Sequence, residues 1–125
     1  MSVLGAFLLL AVGPADVPPV AEAREIVVIG EKLKEWRGDW GSRNEVLSCR
    51  TTKSTGDAEI DAVGCQALVA CAAPQVSRFQ AIAAGKASRS ARRRQMDAAA
   101  QAMMPCLAEQ RAAGIAALDD RRAGA

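Results

Sequence analysis

Four cysteines, Cys49, Cys65, Cys71 and Cys106, are the side chains of this sequence best equipped for covalent or metal chemistry. Three chemistries are open to such a set: zinc ligation, thiol–disulfide exchange and structural cross-linking. Zinc and thioredoxin-type redox sites use C-x-x-C pairs, and the chain has none. It also contains no histidine to complete a ligand set. An even count with irregular spacing reads as two disulfides, provided the chain reaches an oxidising compartment.

The absence of histidine reaches further. It removes Ser-His-Asp triads, Cys-His dyads and imidazole acid–base catalysis. The carboxylates Asp57, Glu59 and Asp61 are close enough for an acid–base pair, but they fall where a helix begins, and negative charge there opposes the positive end of the helix dipole. No metal, cofactor or catalytic set emerges, and an enzyme is not expected. Trp36 and Trp40 flank Arg37-Gly38-Asp39. Their rings are expected to cover the edge of the core around a tight turn at Gly38 and Gly41, with contact to a ligand or partner as the other use of the pair. Lys86, Arg89, Arg92, Arg93 and Arg94 form a basic cluster in which Arg89, Arg92 and Arg93 share a helical face. The cluster is either a solvated face or an anion-binding surface for lipid head groups or a polyanion. Aromatics for base stacking are missing around it, so nucleic acid is not expected.

The elements that must position these residues begin after a leader. Val3 to Gly13 is an apolar run of signal-peptide length, Pro14, Pro18 and Pro19 break it, and Ala21-Glu22-Ala23 supplies small residues for cleavage. No Lys or Arg precedes the run, so the α-amino group is the only positive charge there. Residues 1–23 are therefore read as a signal peptide and the product as periplasmic or secreted. Cleavage after Ala23 leaves 102 of 125 residues and removes Asp16 and Glu22, so 16 basic residues face 12 acidic ones and the net charge rises from +2 to +4. No later segment reads as a transmembrane span.

Residues 24–56 form a strand and loop segment with the Trp pair. Arg24 to Leu33 carries four β-branched residues in a row and reads as a strand, Trp36 to Ser42 as a loop, and Val46 to Lys53 as a second short strand. Residues 57–118 form the helical domain. The first helix, Asp57 to Ala73, repeats Ile60, Val63, Ala67, Leu68 and Cys71 at helical spacing and stops at Pro74. The second, Gln75 to Ala84, carries Val76, Phe79 and Ile82 and ends at Gly85. The third is capped by Ser88 or Ser90, carries Met96, Ala99, Met103, Cys106 and Leu107, and is kinked or restarted by Pro105. Residues 119–125 read as a flexible charged tail. The fold class is mainly α: a small three-helix domain preceded by one or two short strands and stapled by two disulfides.

Geometry selects the pairing. Cys65 and Cys71 on one helix lie about 9 Å apart along its axis, beyond the reach of a bridge. If the chain folds back at residues 54–56, Cys49 rises about 13 Å along an extended segment and Cys65 about 12 Å along the helix. Cys71 lies about 21 Å up that helix. The expected bridges are Cys49–Cys65 and Cys71–Cys106.

Two stretches resemble known proteins. Glu25-Ile-Val-Val-Ile-Gly30 resembles the E-I-V-V-T-G opening near the mature N-terminus of TonB-dependent receptors, with Ile29 in place of Thr and no length for a plug or barrel. The segment from Trp36 to Leu68, W-R-G-x-W then C-R-T-T-K-S-T-G-D-x-E-I-D-x-V-G-C-x-A-L, resembles small exported proteins of unassigned activity from Gram-negative alphaproteobacteria. That likeness implies a periplasmic or secreted location and carries over no functional residues. The expected role is non-catalytic, as a protein-interaction or cell-envelope component with an unidentified protein partner. The alternative is a binder of anionic membrane or polyanion through residues 86–94.

Overall fold

A computed structural model of the chain describes residues 20–124, with side chains from Glu25 onward. The apolar run 3–13 and the prolines after it lie outside the described residues. Among the described residues the order is α1 (Val20–Glu35), β1 (Arg37–Arg43), β2 (Val46–Lys53), α2 (Ala58–Ala72), a 3-10 turn (Ala73–Gln75), α3 (Val76–Ala84), α4 (Arg89–Ala102) and α5 (Met104–Ala123). The fold is mainly helical, as the sequence implies, and both disulfides form in the expected pairing: Cys49–Cys65 and Cys71–Cys106, with Cα atoms 5.5 and 5.8 Å apart. All four thiols are joined in these two bridges.

The segment expected as a first strand is a helix. Four consecutive β-branched residues favour a strand locally, but Ile29, Leu33 and Trp36, spaced i, i+4 and i+7, are the residues that reach the core, at 0%, 2% and 2% exposure. Only a helical turn places that set on one side, and tertiary burial overrides the β preference of Ile26, Val27 and Val28, which remain exposed. The loop expected over Trp36 to Ser42 is also corrected. It is β1, paired antiparallel with β2 from Arg37↔Lys53 to Arg43↔Val46. The two-residue turn between the strands, Asn44-Glu45, has φ of 51° and 65°, the left-handed geometry that matches strand twist in tight hairpins.

α2 begins as its acidic residues imply. The Asp57 carboxylate accepts from the N–H groups of Glu59 and Ile60, capping two donors that the helix itself leaves free. Asp61 holds the approach to the helix: Oδ1 accepts from the N–H of Thr55 at 2.8 Å and from its hydroxyl at 2.7 Å, and the Ser54 hydroxyl donates to Oδ2. Ser88 caps α4 by accepting from the Ala91 N–H at 3.2 Å. The helix expected beyond Ser88 is restarted at Met103: Pro105 sits in the first turn of α5, where its missing N–H costs nothing.

Two apolar clusters hold these elements together. The first joins Ile29, Leu33 and Trp36 to Ile60, Val63 and Leu118. The second joins Cys71, Ala72 and Met103, with Trp40, Phe79 and Leu107 packed against it. Leu68 touches both clusters. The charged residues after Asp119, expected as a flexible tail, are instead the last turns of α5 through Ala123. Leu118 is fully buried and Asp119 nearly so, because α5 lies along α2 and α1 to its end.

One later segment is longer and more apolar than the sequence reading allowed. The helical run Ala58–Ala84 is 27 residues long with mean hydropathy 1.2, enough by length and composition to cross a bilayer. Its Cys65 and Cys71 are bonded to β2 and α5, and the buried side of its α2 part packs on α1 and α5, so α2 serves here as the central core helix.

Candidate functional site

The two tryptophans do not form a pair with a common exposed face. Trp36 is a core residue, and the path of the chain around it is set by missing side chains. A Cβ on Gly38 would lie 2.3 Å from the Trp36 ring and one on Gly64 would lie 2.5 Å from it, so strand and helix both close on the indole only because these positions are glycine. The indole N–H donates to the Thr51 hydroxyl at 3.0 Å, satisfying the one polar atom that the ring buries. Trp40 belongs to the second cluster, edge-on to Phe79 with centroids 5.2 Å apart. Arg37-Gly38-Asp39 lies within β1 rather than on a loop tip, its Arg donating to the carbonyls of Lys34 and Trp36.

The basic cluster sits at one end of the molecule on α3, α4 and the turn between them. Lys86 is in that turn, and Arg89, Arg93 and Arg94 are exposed on α4. Arg92 departs from the expected shared face. It is half-buried, folds back so that one terminal nitrogen donates to the Ala83 carbonyl at 3.4 Å, and leaves its buried Nε–H without an acceptor among the described residues. Arg78, on α3, joins the basic surface and lines a shallow cleft with Ile82 and Gln95. The sequence reading missed Arg78 because it lies eight positions before the cluster and is brought to it only by the pairing of α3 with α4.

The charge of this helix pair separates it from the rest. Residues 76–102 hold six basic residues and one acidic residue, Asp97, a net of +5. The other residues from 24 onward hold 10 basic and 11 acidic, a net of −1. The whole positive balance therefore lies on α3 and α4. The pair also contributes little to the core: no residue of α3 is buried and only Ala99 of α4 is.

At the other end, Arg122 gathers three carboxylates. It contacts Asp57 at 2.7 Å, Glu25 at 3.3 Å and Glu59 at 3.4 Å, joining α5 to the first turn of α2 and to α1. The Arg122 guanidinium, aided by the helix N–H groups of Ile60 and Glu59, holds the Asp57 carboxyl below its ordinary value of 3.8. The Ser54 hydroxyl and both donors of Thr55 do the same for Asp61. The sequence placed Asp57, Glu59 and Asp61 correctly at a helix start; Arg122 as their partner is visible only in the fold.

A second concavity, about 390 Å³, runs between α1 and α5. Val27, Gly30 and Lys34 flank it from α1; Ala108, Arg111 and Ile115 flank it from α5. The Arg111 guanidinium lies 5.9 Å from the centroid of the Trp36 ring and covers it, a cation–π arrangement. Nothing in the sequence marked Arg111, which stands apart from the basic cluster.

No protein family matches the sequence, and neither a curated protein nor a solved structure resembles it significantly.

Proposed function

We propose that the chain is an exported, non-catalytic protein of the cell envelope that works by contact, and that the α3–α4 pair is the surface through which it attaches to anionic membrane or a polyanion. The observation that carries this reading is the segregation of charge: a helix pair of net +5 on a body of net −1. A positive surface at one end orients the molecule toward a negative one and concentrates it there, by attraction that salt screens. Its own packing supports the same use, since α3 and α4 hold few core residues and leave Lys86, Arg89, Arg93 and Arg94 free to face a partner. Two disulfides suit an oxidising compartment, where a small alanine-rich core gains from cross-links. The leader reading of residues 1–23 agrees with that compartment.

Vesicles of phosphatidylcholine with and without phosphatidylglycerol test the surface. The protein should sediment with the anionic vesicles at low salt, release as salt rises, and attach less well after combined Arg89→Gln, Arg93→Gln and Arg94→Gln replacement. Absence of attachment to anionic vesicles at low salt overturns the lipid reading, because exposed charges act most strongly there.

A further inference from the structure

The groove between α1 and α5 has a chemistry that the basic helix pair does not share. Its α1 wall is built from positions 27, 30, 31, 33 and 34 and its α5 wall from 108, 111, 112 and 115, the spacing at which helix neighbours line one face. The surfaces so presented are mostly apolar, from Val27, Leu33, Ile115 and alanines, with Glu31, Lys34 and Arg111 as the charged lining. Gly30 faces Ile115 across the base, where a Cβ would lie 3.9 Å from Ile115 Cδ1, an ordinary contact distance. The volume of about 390 Å³ is that of a small-ligand site. The α1 wall from residue 27 to 34 is about 10 Å long. Val27 extends the apolar lining to the open end, at 61% exposure.

Two cations and one anion stand in this setting. Lys34 pairs with Glu31 at 2.9 Å on the exposed rim, and each satisfies the other. Arg111 has no such partner. No carboxylate of the described residues lies within ion-pair distance of it, its buried Nε–H has no acceptor among them, and it lies 5.9 Å from the centroid of the Trp36 ring. A guanidinium fixed beside an apolar trough, with donors to spare, matches a ligand that carries an anion at the end of a hydrocarbon chain.

We propose that this groove binds a single-chain aliphatic carboxylate of medium length, its alkyl chain along Val27, Leu33 and Ile115 and its carboxylate accepting from Arg111. The planar fork of the guanidinium pairs with the two carboxylate oxygens, and the chain covers apolar surface that is otherwise wet. This site is separate from the α3–α4 surface, and its binding does not depend on the Arg residues there.

Titration of the full-length protein carrying Trp40→Phe, so that Trp36 is the sole indole, tests it with decanoate as the probe. Movement of Arg111 toward a carboxylate changes the contact with the Trp36 ring, so emission should change saturably below the micelle concentration. Arg111→Gln should weaken decanoate about tenfold or more and leave decanol unaffected. Ala112→Leu, which narrows the groove, should weaken both. Far-ultraviolet circular dichroism and a non-reducing mass spectrum confirm that each variant keeps its helices and both bridges. The unsubstituted protein supplies an independent reading, since it should prefer decanoate to decanol. No saturable response to decanoate, equal affinity for decanoate and decanol, or unchanged decanoate affinity in Arg111→Gln overturns the proposal.

Discussion

Asp57 does two jobs with one carboxylate, capping α2 and receiving Arg122 from the far end of the chain. Asp57→Ala should lower unfolding free energy by about 1–2 kcal/mol, the range of a lost cap with a small added ion-pair loss. Asp57→Asn keeps an acceptor for the helix N–H groups and should cost less; urea unfolding of both variants separates the two jobs. The pH dependence has a definite sign. Asp57 and Asp61 both titrate below 3.8 in the fold, so their contribution is complete above 3.8 and is lost as pH falls through their depressed values. Unfolding midpoints measured from pH 5 down to 2 should therefore fall in the wild type and fall less in Asp57→Asn. Gly64 gives a test of the opposite kind. In a helix, Gly→Ala ordinarily stabilises, but a Cβ here meets the Trp36 ring, and Gly64→Ala should destabilise by about 1–3 kcal/mol. Side chains that act locally, such as the acidic residues at the start of α2 and a serine cap before α4, were legible in the sequence. Gly38 and Gly64 were not legible as the walls of a tryptophan slot, because nothing in their neighbours' spacing reveals what lies across the fold.

Among the elements, the helices were the more legible and the strands the less. α2 and α3 carry their apolar residues at helical spacing between clear breakers and form within a residue of the expected limits, while the third expected helix divides into α4 and α5 at Met103. α1 was misread because a run of β-branched residues is a strong local signal, while its real determinant, burial of Ile29, Leu33 and Trp36, depends on α2 and α5 being in place. The hairpin turn lacked the usual Asn-Gly signature. Glu45 adopts a positive φ without being glycine, so Glu45→Gly should remove a local strain of about 1 kcal/mol and raise the thermal midpoint. A fall in the midpoint would show that the Glu45 side chain supplies more than the backbone loses. The bridges were legible because the rise per residue of strand and helix differs enough to match only Cys49 with Cys65.

At the scale of the whole molecule, the two disulfides divide the work. Cys49–Cys65 fastens the hairpin to α2 across a separation of 16 residues, and Cys71–Cys106 fastens α2 to α5 across 35. Loop-closure entropy assigns them about 3 and 4 kcal/mol respectively, large for a core whose buried set includes several alanines and only a few large residues. Paired replacement of Cys71 and Cys106 by Ala should therefore lower stability more than paired replacement of Cys49 and Cys65, and full reduction should unfold most of the domain; denaturant titration of each variant checks the order. On export, Edman sequencing of the secreted product should begin at Arg24.

The packing of α5 beside α1 also governs when the chain can fold. Leu118 and Arg122 complete the cluster and ion network begun by Ile29 and Glu25, so the first helix waits for contacts nearly a hundred positions later. A chain emerging from one end exposes α1 and α2 without their cover until α5 follows. The Cys71–Cys106 bridge follows the same order, since it needs Cys106 near the start of α5 beside a residue 35 positions earlier.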